Sequence, residues 1–160
     1  MPNAIQLNEL IRSAQALRTR LVWLIGPPGA GKSQLLKRVS TDNPETTYVN
    51  LNAALARSLS DEQDLQRVFR VGAILADLLP AKASGAWLLD NIELLCSHKL
   101  KFPVVDRLKS IAQGATLVVA WPGSIESGRL IYGARNHPDF MECPIDTPLI
   151  LDLNENNQGQ

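Results

Sequence analysis

The sequence predicts an α/β domain of three layers, in which helices cover both faces of a mostly parallel central sheet. Three observations support this fold class. Short apolar runs typical of buried strands alternate along the chain with segments of helical periodicity. A glycine-rich segment separates the first apolar run from the helix that follows it. The 160 residues suffice for one hydrophobic core, and their 45% apolar share is ordinary for a globular protein.

The first elements follow from apolar spacing and from the residues that interrupt it. Apolar residues at helical spacing, beginning at Ile5, predict a helix over residues 5–18. The run Leu21–Ile25 ends at Gly-Pro-Pro-Gly, which predicts a strand followed by a loop. A helix over residues 32–39 and a strand over residues 46–51 come next.

The middle of the chain continues the alternation of helices and strands. Residues 60–63 carry the serine and glutamine of a capping box, which predicts a helix that ends at Pro80. Ala86–Asp90 is an apolar run that ends on a carboxylate, and Thr116–Trp121 is a second buried run. Between these two strands we expect a helix within residues 103–114.

The C-terminal third gives weaker patterns. We expect a helix over residues 124–135 and one or two edge strands over residues 140–153, where two prolines would be tolerated. Residues 154–160 are polar and predict a disordered tail. The sequence therefore predicts a single domain over residues 1–153, followed by that tail.

The overall charge gives no general reason to bind nucleic acid or a membrane. Sixteen basic residues balance sixteen acidic ones, so the formal net charge is zero. No apolar run approaches the length of a membrane span, and the N-terminus lacks the pattern of a secretory signal. Two distant cysteines form no disulfide framework. These features predict a cytoplasmic protein with no membrane partner.

Residues 26–33, GPPGAGKS, match the pattern G-x-x-x-x-G-K-[ST] in full. The glycines allow positive φ angles and bring backbone N–H groups to phosphates, and the next helix adds the positive end of its dipole. Lys32 would reach the β- and γ-phosphates, and Ser33 would offer its hydroxyl to Mg²⁺. A chance match in a glycine-rich turn is the alternative. The predicted phosphate loop for ATP consists of Gly26, Pro27, Pro28, Gly29, Ala30, Gly31, Lys32, Ser33 and Gln34.

Asp90 stands where the second ligand group of Mg²⁺ is expected. It ends a buried strand, and the ends of parallel strands line the ligand crevice of such sheets. We expect it to hold Mg²⁺ through water molecules. The alternative is an aspartate that only caps a turn.

The order of these motifs resembles the division of P-loop ATPases that includes the AAA+ family. In that division an extra strand lies between the loop strand and the strand of the magnesium carboxylate, and here residues 46–51 lie between the two in sequence. Its members typically place a glutamate, the base for the attacking water, directly after the aspartate. This chain has Asn91 there, which can orient a water but cannot take its proton. The base would then be Glu93, if the strand runs on and Glu93 points the same way, and otherwise Glu93 is a solvated side chain.

The same resemblance implies groups that sense the γ-phosphate. Ser124 is the nearest polar residue after the strand Thr116–Trp121. Arg129 or Arg135 would reach the γ-phosphate of a neighbouring subunit, which implies a homo-oligomer. Alternatively, both arginines are solvated residues on a helix. No helical lid domain of the AAA+ kind is recognisable after the last strand.

The N-terminal helix, GPPGAGKS, the stretch WLLDNIELL and a short C-terminal strand region together resemble BrxF, a family of small P-loop proteins. Proteins of that family are encoded with type 3 BREX bacteriophage-defence systems. The resemblance implies an ATP-binding accessory protein that works with a large ATPase, a DNA methyltransferase and a phosphatase-like component. Direct DNA contact stays open, since four basic residues could meet phosphates, meet an acidic partner or form a solvated helix face: Lys99, Lys101, Arg107 and Lys109.

Three functions remain open. The first is a regulatory ATPase with weak or partner-dependent hydrolysis. The second is a non-hydrolysing nucleotide switch or assembly subunit, which Asn91 in place of a carboxylate would suit. The third is a small nucleotide kinase, although such kinases usually begin with the loop strand and enclose their acceptor with an arginine-rich lid.

Overall fold

The computed structural model describes residues 2–59, 64–145, 147 and 149–154. Its helices are α1 (Pro2–Ala14), α2 (Lys32–Asp42), α3 (Leu51–Leu59), α4 (Asp64–Leu78) and α5 (Val104–Ile111), with a 3₁₀ helix at Glu93–Cys96. Its strands are β1 (Leu21–Ile25), β2 (Thr46–Asn50), β3 (Ala86–Asp90), β4 (Thr116–Trp121), β5 (Ser124–Glu126), β6 (Arg129–Tyr132), β7 (Met141–Pro144) and β8 (Ile150–Asp152).

A five-stranded parallel sheet forms the centre of the fold, in the order β2-β3-β4-β1-β8. Every residue of β1 and β4 is buried, which explains why both strands are continuous apolar runs in the sequence. One apolar cluster packs α1 and α2 on one face, and a second packs α3, α4 and α5 on the other. The predicted α/β class with a mostly parallel, two-sided sheet is confirmed.

The strand order places β4 between the loop strand β1 and the carboxylate strand β3. The extra strand at this position is therefore Thr116–Trp121. The earlier strand Thr46–Asn50 lies at the edge of the sheet, although it lies between the loop and Asp90 in sequence. Parallel strands expose their carboxyl ends at one edge, so the ends of β1, β3 and β4 border the same crevice.

The helix predicted over residues 124–135 is wrong. This segment forms the hairpin β5–β6, which joins β7 in a three-stranded antiparallel sheet. Ser127 and Gly128 both have positive φ angles, 52° and 74°, as a two-residue hairpin turn of type I′ requires. Gly123 directly precedes the hairpin. A Cβ atom at this residue would lie 1.9 Å from the carbonyl oxygen of Ile131. Close backbone approach and turn geometry therefore outweigh the weak helical pattern.

The first helix lies earlier in the chain than predicted, over residues 2–14 instead of 5–18, and only part of the predicted apolar face is buried. It ends at Ala14, and Ile5 is 62% exposed because the buried face is formed by Ala4, Leu7 and Ile11. The spacing of the apolar residues suited more than one helix face. Only packing against α2 and the sheet selects between them.

The other differences are smaller. The helix α3 begins directly after β2 and was not predicted. The edge strands expected over residues 140–153 are confirmed as β7 and β8. The capping box at 60–63 and residues 155–160 of the predicted tail lie outside the described residues. In the described ranges no residues form a helical lid domain, and none of their helices is long and apolar enough to cross a membrane.

Candidate functional site

The segment between β1 and α2 has the backbone of a loop that curls around a ligand. Gly29 and Gly31 adopt φ angles of 85° and 98°, a region that favours glycine. Gly26 begins the loop at the end of the buried strand, and a Cβ atom there would lie 2.9 Å from the Cβ of Ala30. The helix α2 begins at Lys32, so its N-terminal N–H groups border the loop.

A cavity of about 390 Å³ opens at this loop. The strand β4 and the residue after its end complete the wall through Ala120 and Pro122. Gly26, Pro27 and Ala30 belong to the loop but are not part of the lining. Nine of the predicted site residues line the cavity: Pro28, Gly29, Gly31, Lys32, Ser33, Gln34, Asp90, Asn91 and Glu93.

The ammonium group of Lys32 is held by the loop itself. Its Nζ donates hydrogen bonds to the carbonyl oxygen of Gly26 and, at 3.0 Å, to that of Pro27. Burial lowers the pKa of Lys32, while the negative charges of Asp90 and Glu93 oppose this shift. An ammonium group has three N–H donors, so these two contacts leave donor capacity for a phosphate oxygen.

Asp90 is 2% exposed, and each of its carboxylate oxygens accepts one hydrogen bond. The phenol of Tyr48 donates to Oδ2 at 2.6 Å, and the backbone N–H of Asn91 donates to Oδ1 at 3.0 Å. Burial first, and then the hydrogen bond to Asp90, raise the pKa of the Tyr48 phenol. The buried carboxylate is thus fixed in orientation at the wall of the cavity.

The donor set fits Mg²⁺. This ion prefers oxygen ligands and keeps several water molecules. Ser33 brings a hydroxyl on the first turn of α2, and Asp90 brings a carboxylate from the end of β3 into the same cavity. A carboxylate offers about four lone-pair positions, and two remain after the contacts of Asp90. Ser33 and Asp90 can therefore hold the ion, directly and through its waters respectively.

The strand β3 ends at Asp90. The prediction of Glu93 as the base assumed that this strand continues to Glu93, and it does not. Asn91 adopts a positive φ of 54°, which turns the chain out of the strand, and Glu93 begins the 3₁₀ helix. Glu93 nevertheless lines the cavity. Its Oε2 accepts a hydrogen bond of 3.0 Å from Nδ2 of Asn52 in α3. The Oδ1 of Asn52 accepts a second hydrogen bond from the N–H of Leu94. The side-chain amide of Asn52 therefore contacts the first two residues of the 3₁₀ helix, through its nitrogen and its oxygen.

The arginine and serine predicted to sense the γ-phosphate do not line the cavity. Ser124 begins β5 and pairs with Ile131 in the small sheet. Arg129 begins β6, where its Nε lies 2.6 Å from Oε1 of Glu142, and Arg135 lies 3.8 Å from the same carboxylate. Within one chain, both arginines are therefore exposed and pair with Glu142, Arg129 from β6 and Arg135 from the turn after it. Their action on a neighbouring subunit stays a prediction.

Two contributors to the site were not predicted. Tyr48 and Asn52 approach Asp90 and Glu93 from β2 and α3. Side chains alternate along β2, so Tyr48 and Asn50 lie on the same face. Only the pairing of Asn50 with Asp90, which the sequence does not reveal, shows that Tyr48 lies near the carboxylate of Asp90. Asn52 lies in a helix that the sequence did not reveal. Neither residue carries a motif of its own.

The cysteines give the site no nucleophile. Cys96 and Cys143 are both free thiols. Burial raises the pKa of the Cys96 thiol to about 12, and burial also raises the pKa of Cys143. The raised pKa favours the protonated form of both thiols at neutral pH, and the thiolate is the nucleophilic form.

Comparison with known proteins gives distant relatives. No family model matches the chain. It is 29% identical over 131 residues to ATPase family gene 2 protein homolog B of Rattus norvegicus, covering 81% of this chain and 17% of that protein. The Homo sapiens protein of the same name is 30% identical over 131 residues, with 81% and 16% covered. The chain thus spans about a sixth of the length of these relatives.

Among solved structures, the chain is similar to that of C. elegans PCH-2. The TM-score is 0.45 and the identity 18%, over 79% of this chain and 37% of that one. The distant sequence similarity to the ATPase family gene 2 proteins supports a nucleotide-binding, ATPase-like fold of the AAA+-like kind.

Proposed function

We propose that this chain binds Mg-ATP and acts as an accessory or regulatory ATPase, with weak or partner-dependent hydrolysis, in a bacterial BREX-type phage-defence system. One observation carries the nucleotide part of this proposal. A single cavity gathers the phosphate loop, the ammonium of Lys32, the hydroxyl of Ser33 and the carboxylates of Asp90 and Glu93. This combination suits a polyphosphate with a bound divalent cation.

Each group has a distinct role in this proposal. The loop N–H groups and the N-terminus of α2 hold the phosphates, and Lys32 adds a positive charge beside them. Ser33 and the waters fixed by Asp90 hold Mg²⁺, which neutralises phosphate charge when bound. Glu93 accepts the proton of the attacking water, and Asn91 orients that water.

Slow hydrolysis follows from the contacts of Glu93. Its carboxylate accepts a hydrogen bond from Asn52, which stabilises its position at the start of the 3₁₀ helix. The residue directly after Asp90 is an asparagine with no basic group. A partner that moves α3 would release Glu93 and raise the rate. Hydrolysis is therefore expected to be slow in the isolated chain.

The test is phosphate release from Mg-ATP over a range of protein concentrations, beside direct titration of ATP binding. We expect binding that Mg²⁺ strengthens, slow release by the chain alone, and faster release with a partner of the defence system. The absence of ATP binding in the titration would overturn the proposal. Phosphorylation of a small acceptor would instead indicate the kinase.

The defence role rests on the resemblance of GPPGAGKS and WLLDNIELL to the BrxF family. We expect the chain to co-purify with the large ATPase, the methyltransferase or the phosphatase-like component when the system is expressed together. We also expect Lys32→Ala to reduce protection against phage in a plaque assay. Full protection of a strain that lacks this chain would contradict the defence role. It would not contradict the proposal that the chain binds nucleotide.

A second candidate is a nucleotide switch that does not hydrolyse ATP. The hydrogen bond of Asn52 to Glu93 favours it, because it engages the carboxylate that would serve as base. Tight Mg-ATP binding with no phosphate release, alone or with every partner, would select the switch.

A further inference from the structure

Tyr48 lies on the edge strand β2 and reaches across to the end of β3. Its register partner in β3 is Leu88, and Asn50 pairs with Asp90. Tyr48 and Asp90 therefore lie on the same face of the sheet as diagonal neighbours, a distance that an aromatic side chain can span. The phenol closes this distance with a hydrogen bond of 2.6 Å to Oδ2 of Asp90.

The two oxygens of Asp90 are fixed by different parts of the chain. The backbone N–H of Asn91 holds Oδ1, and the side chain of Tyr48 holds Oδ2. One donor on each oxygen fixes both the rotation and the plane of the carboxylate. The ammonium of Lys37 in α2 lies 5.5 Å from the centre of the Tyr48 ring, within the range of a cation–π contact.

We propose that Tyr48 is a positioning residue for the magnesium role of Asp90. The phenol sets the direction of the two lone pairs that Asp90 has left, and these lone pairs accept hydrogen bonds from the waters of a bound Mg²⁺. Mg²⁺ demands near-ideal octahedral geometry, so a carboxylate free to rotate holds its waters less well. This inference rests on the proposed Mg-ATP function and deepens it.

The alternative role of Tyr48 is structural, in which the phenol only satisfies a buried carboxylate. The two roles differ in what removal of the hydroxyl changes. A structural role affects the stability of the fold, whatever ligand is present. A positioning role affects the gain in nucleotide affinity that Mg²⁺ provides.

The test compares Tyr48→Phe with the wild type and with Tyr132→Phe, a variant that removes the chain's other phenol, which lies in the small sheet. Affinity for ATP is titrated with Mg²⁺ and again with EDTA. We expect the Mg²⁺-dependent gain in affinity to fall about tenfold in Tyr48→Phe. Affinity in EDTA should stay within about twofold of the wild type, and Tyr132→Phe should keep the full gain.

A full Mg²⁺-dependent gain in Tyr48→Phe would overturn the inference, and so would an equal loss of affinity with and without Mg²⁺. These outcomes are distinguishable from failure of the proposed function. If wild-type protein binds no ATP, or binds it without any effect of Mg²⁺, the proposed function and this inference both fail. If Asp90→Asn removes the gain and Tyr48→Phe keeps it, only the role of Tyr48 fails.

A second measurement avoids the variant and any loss of folding it causes. Wild-type protein with ¹³C-labelled tyrosine gives two ring signals, since the chain has two tyrosines, and Tyr132→Phe assigns them. We expect the Tyr48 signal to shift when Mg²⁺ is added to the nucleotide-bound protein. A Tyr48 signal that does not respond to Mg²⁺ would overturn the inference.

Discussion

Lys32 shows how single side chains of the site depend on each other. Two carbonyl groups of the loop accept its hydrogen bonds, burial lowers its pKa, and the carboxylates of Asp90 and Glu93 oppose that shift. The ammonium of Lys32 thus interacts both with carbonyl groups of the loop and with the negative charges of Asp90 and Glu93. Removal of the Lys32 side chain should reduce nucleotide affinity more than the stability of the fold, because this side chain is only half-buried.

We expect Lys32→Ala to weaken ATP binding by at least about tenfold, since a charge-assisted hydrogen bond to phosphate is lost. Isothermal titration measures the affinity, and circular dichroism confirms that the fold is retained. The matched control is Lys99→Ala, an exposed lysine that does not line the cavity. Equal ATP affinity of Lys32→Ala and wild type would contradict the prediction that this loop binds phosphate.

Asn91→Glu tests whether hydrolysis is limited by the absence of a carboxylate directly after Asp90. A carboxylate directly after Asp90 should raise phosphate release by about tenfold or more. The positive φ of Asn91 makes any longer residue here cost stability, about 1 kcal/mol. Asn91→Gln carries the same length and strain without the base, so it serves as the control. A similar rate in both variants would mean that hydrolysis is limited elsewhere.

At the scale of elements, the small antiparallel sheet was predicted only in part, because β7 was expected as an edge strand but a helix was expected where β5 and β6 form. Its hairpin depends on Gly123, on a turn of two residues with positive φ, and on the bond from Nε1 of Trp121 to the carbonyl oxygen of Ile131. All three are contacts between strands or backbone angles. Apolar spacing does not encode them, whereas it encodes the buried strands of the large sheet well.

We expect Gly123→Ala to lower the free energy of unfolding by about 2 kcal/mol, because the new Cβ would lie 1.9 Å from a backbone oxygen. In a chain of this length the Tm should fall by about 5 °C. Gly72→Ala is the control, since nothing lies within 4 Å of its Cβ position in α4. That change should leave the Tm unchanged or raise it. Equal Tm values for the two variants would contradict the close approach.

His98 and Asp139 join the segment after the 3₁₀ helix to the connection between β6 and β7. The backbone N–H of His98 donates to Asp139 at 2.8 Å, and its ring Nδ1 lies 2.5 Å from the same oxygen. The hydrogen bonds from His98 hold the pKa of Asp139 below its ordinary 3.8. This contact therefore stabilises the fold fully above about pH 4, and the stabilisation is lost as the pH falls through the lower folded value.

Asp139→Asn should therefore have a slightly lower Tm than wild type at pH 7, and the difference should shrink below about pH 4. Thermal unfolding from pH 7 to pH 3 measures it. The effect is small because Asp139 lies near the surface. A difference in Tm that stays constant down to pH 3 would mean that the carboxylate charge plays no part.

At the scale of the whole molecule, the question is whether one chain completes the site. Arg129 is paired with Glu142 on the small sheet and does not line the cavity of its own chain. If subunits associate and this arginine acts on a neighbour, the specific rate of phosphate release should rise with protein concentration.

We expect Arg129→Ala to remove that rise while ATP affinity at low concentration stays unchanged. The loss should be about tenfold or more at high concentration. Arg38→Ala is the matched control, because Arg38 forms a similar exposed pair with Asp42 at 2.8 Å. A specific rate independent of concentration in the wild type would leave Arg129 as a surface ion-pair residue.

The sequence predicted those parts that have a local signature. The spacing of GPPGAGKS predicted the loop between β1 and α2, and the apolar run before Asp90 predicted the end of β3. It could not predict Tyr48 or Asn52, because their roles arise from strand register and from a helix without a clear start signal. It also could not give the strand order, which depends on contacts between distant segments.

The base of the phosphate loop depends on the last strand of the large sheet. β8 pairs with β1 up to Ile25, and a Cβ atom at Gly26 would lie 3.5 Å from the Cβ of Leu153. Until β8 has left the ribosome, β1 would be an uncovered edge and the loop would lack one side of its support. Nucleotide capture should therefore begin only after β8 has paired with β1, and a bound nucleotide would mark chains whose large sheet has closed.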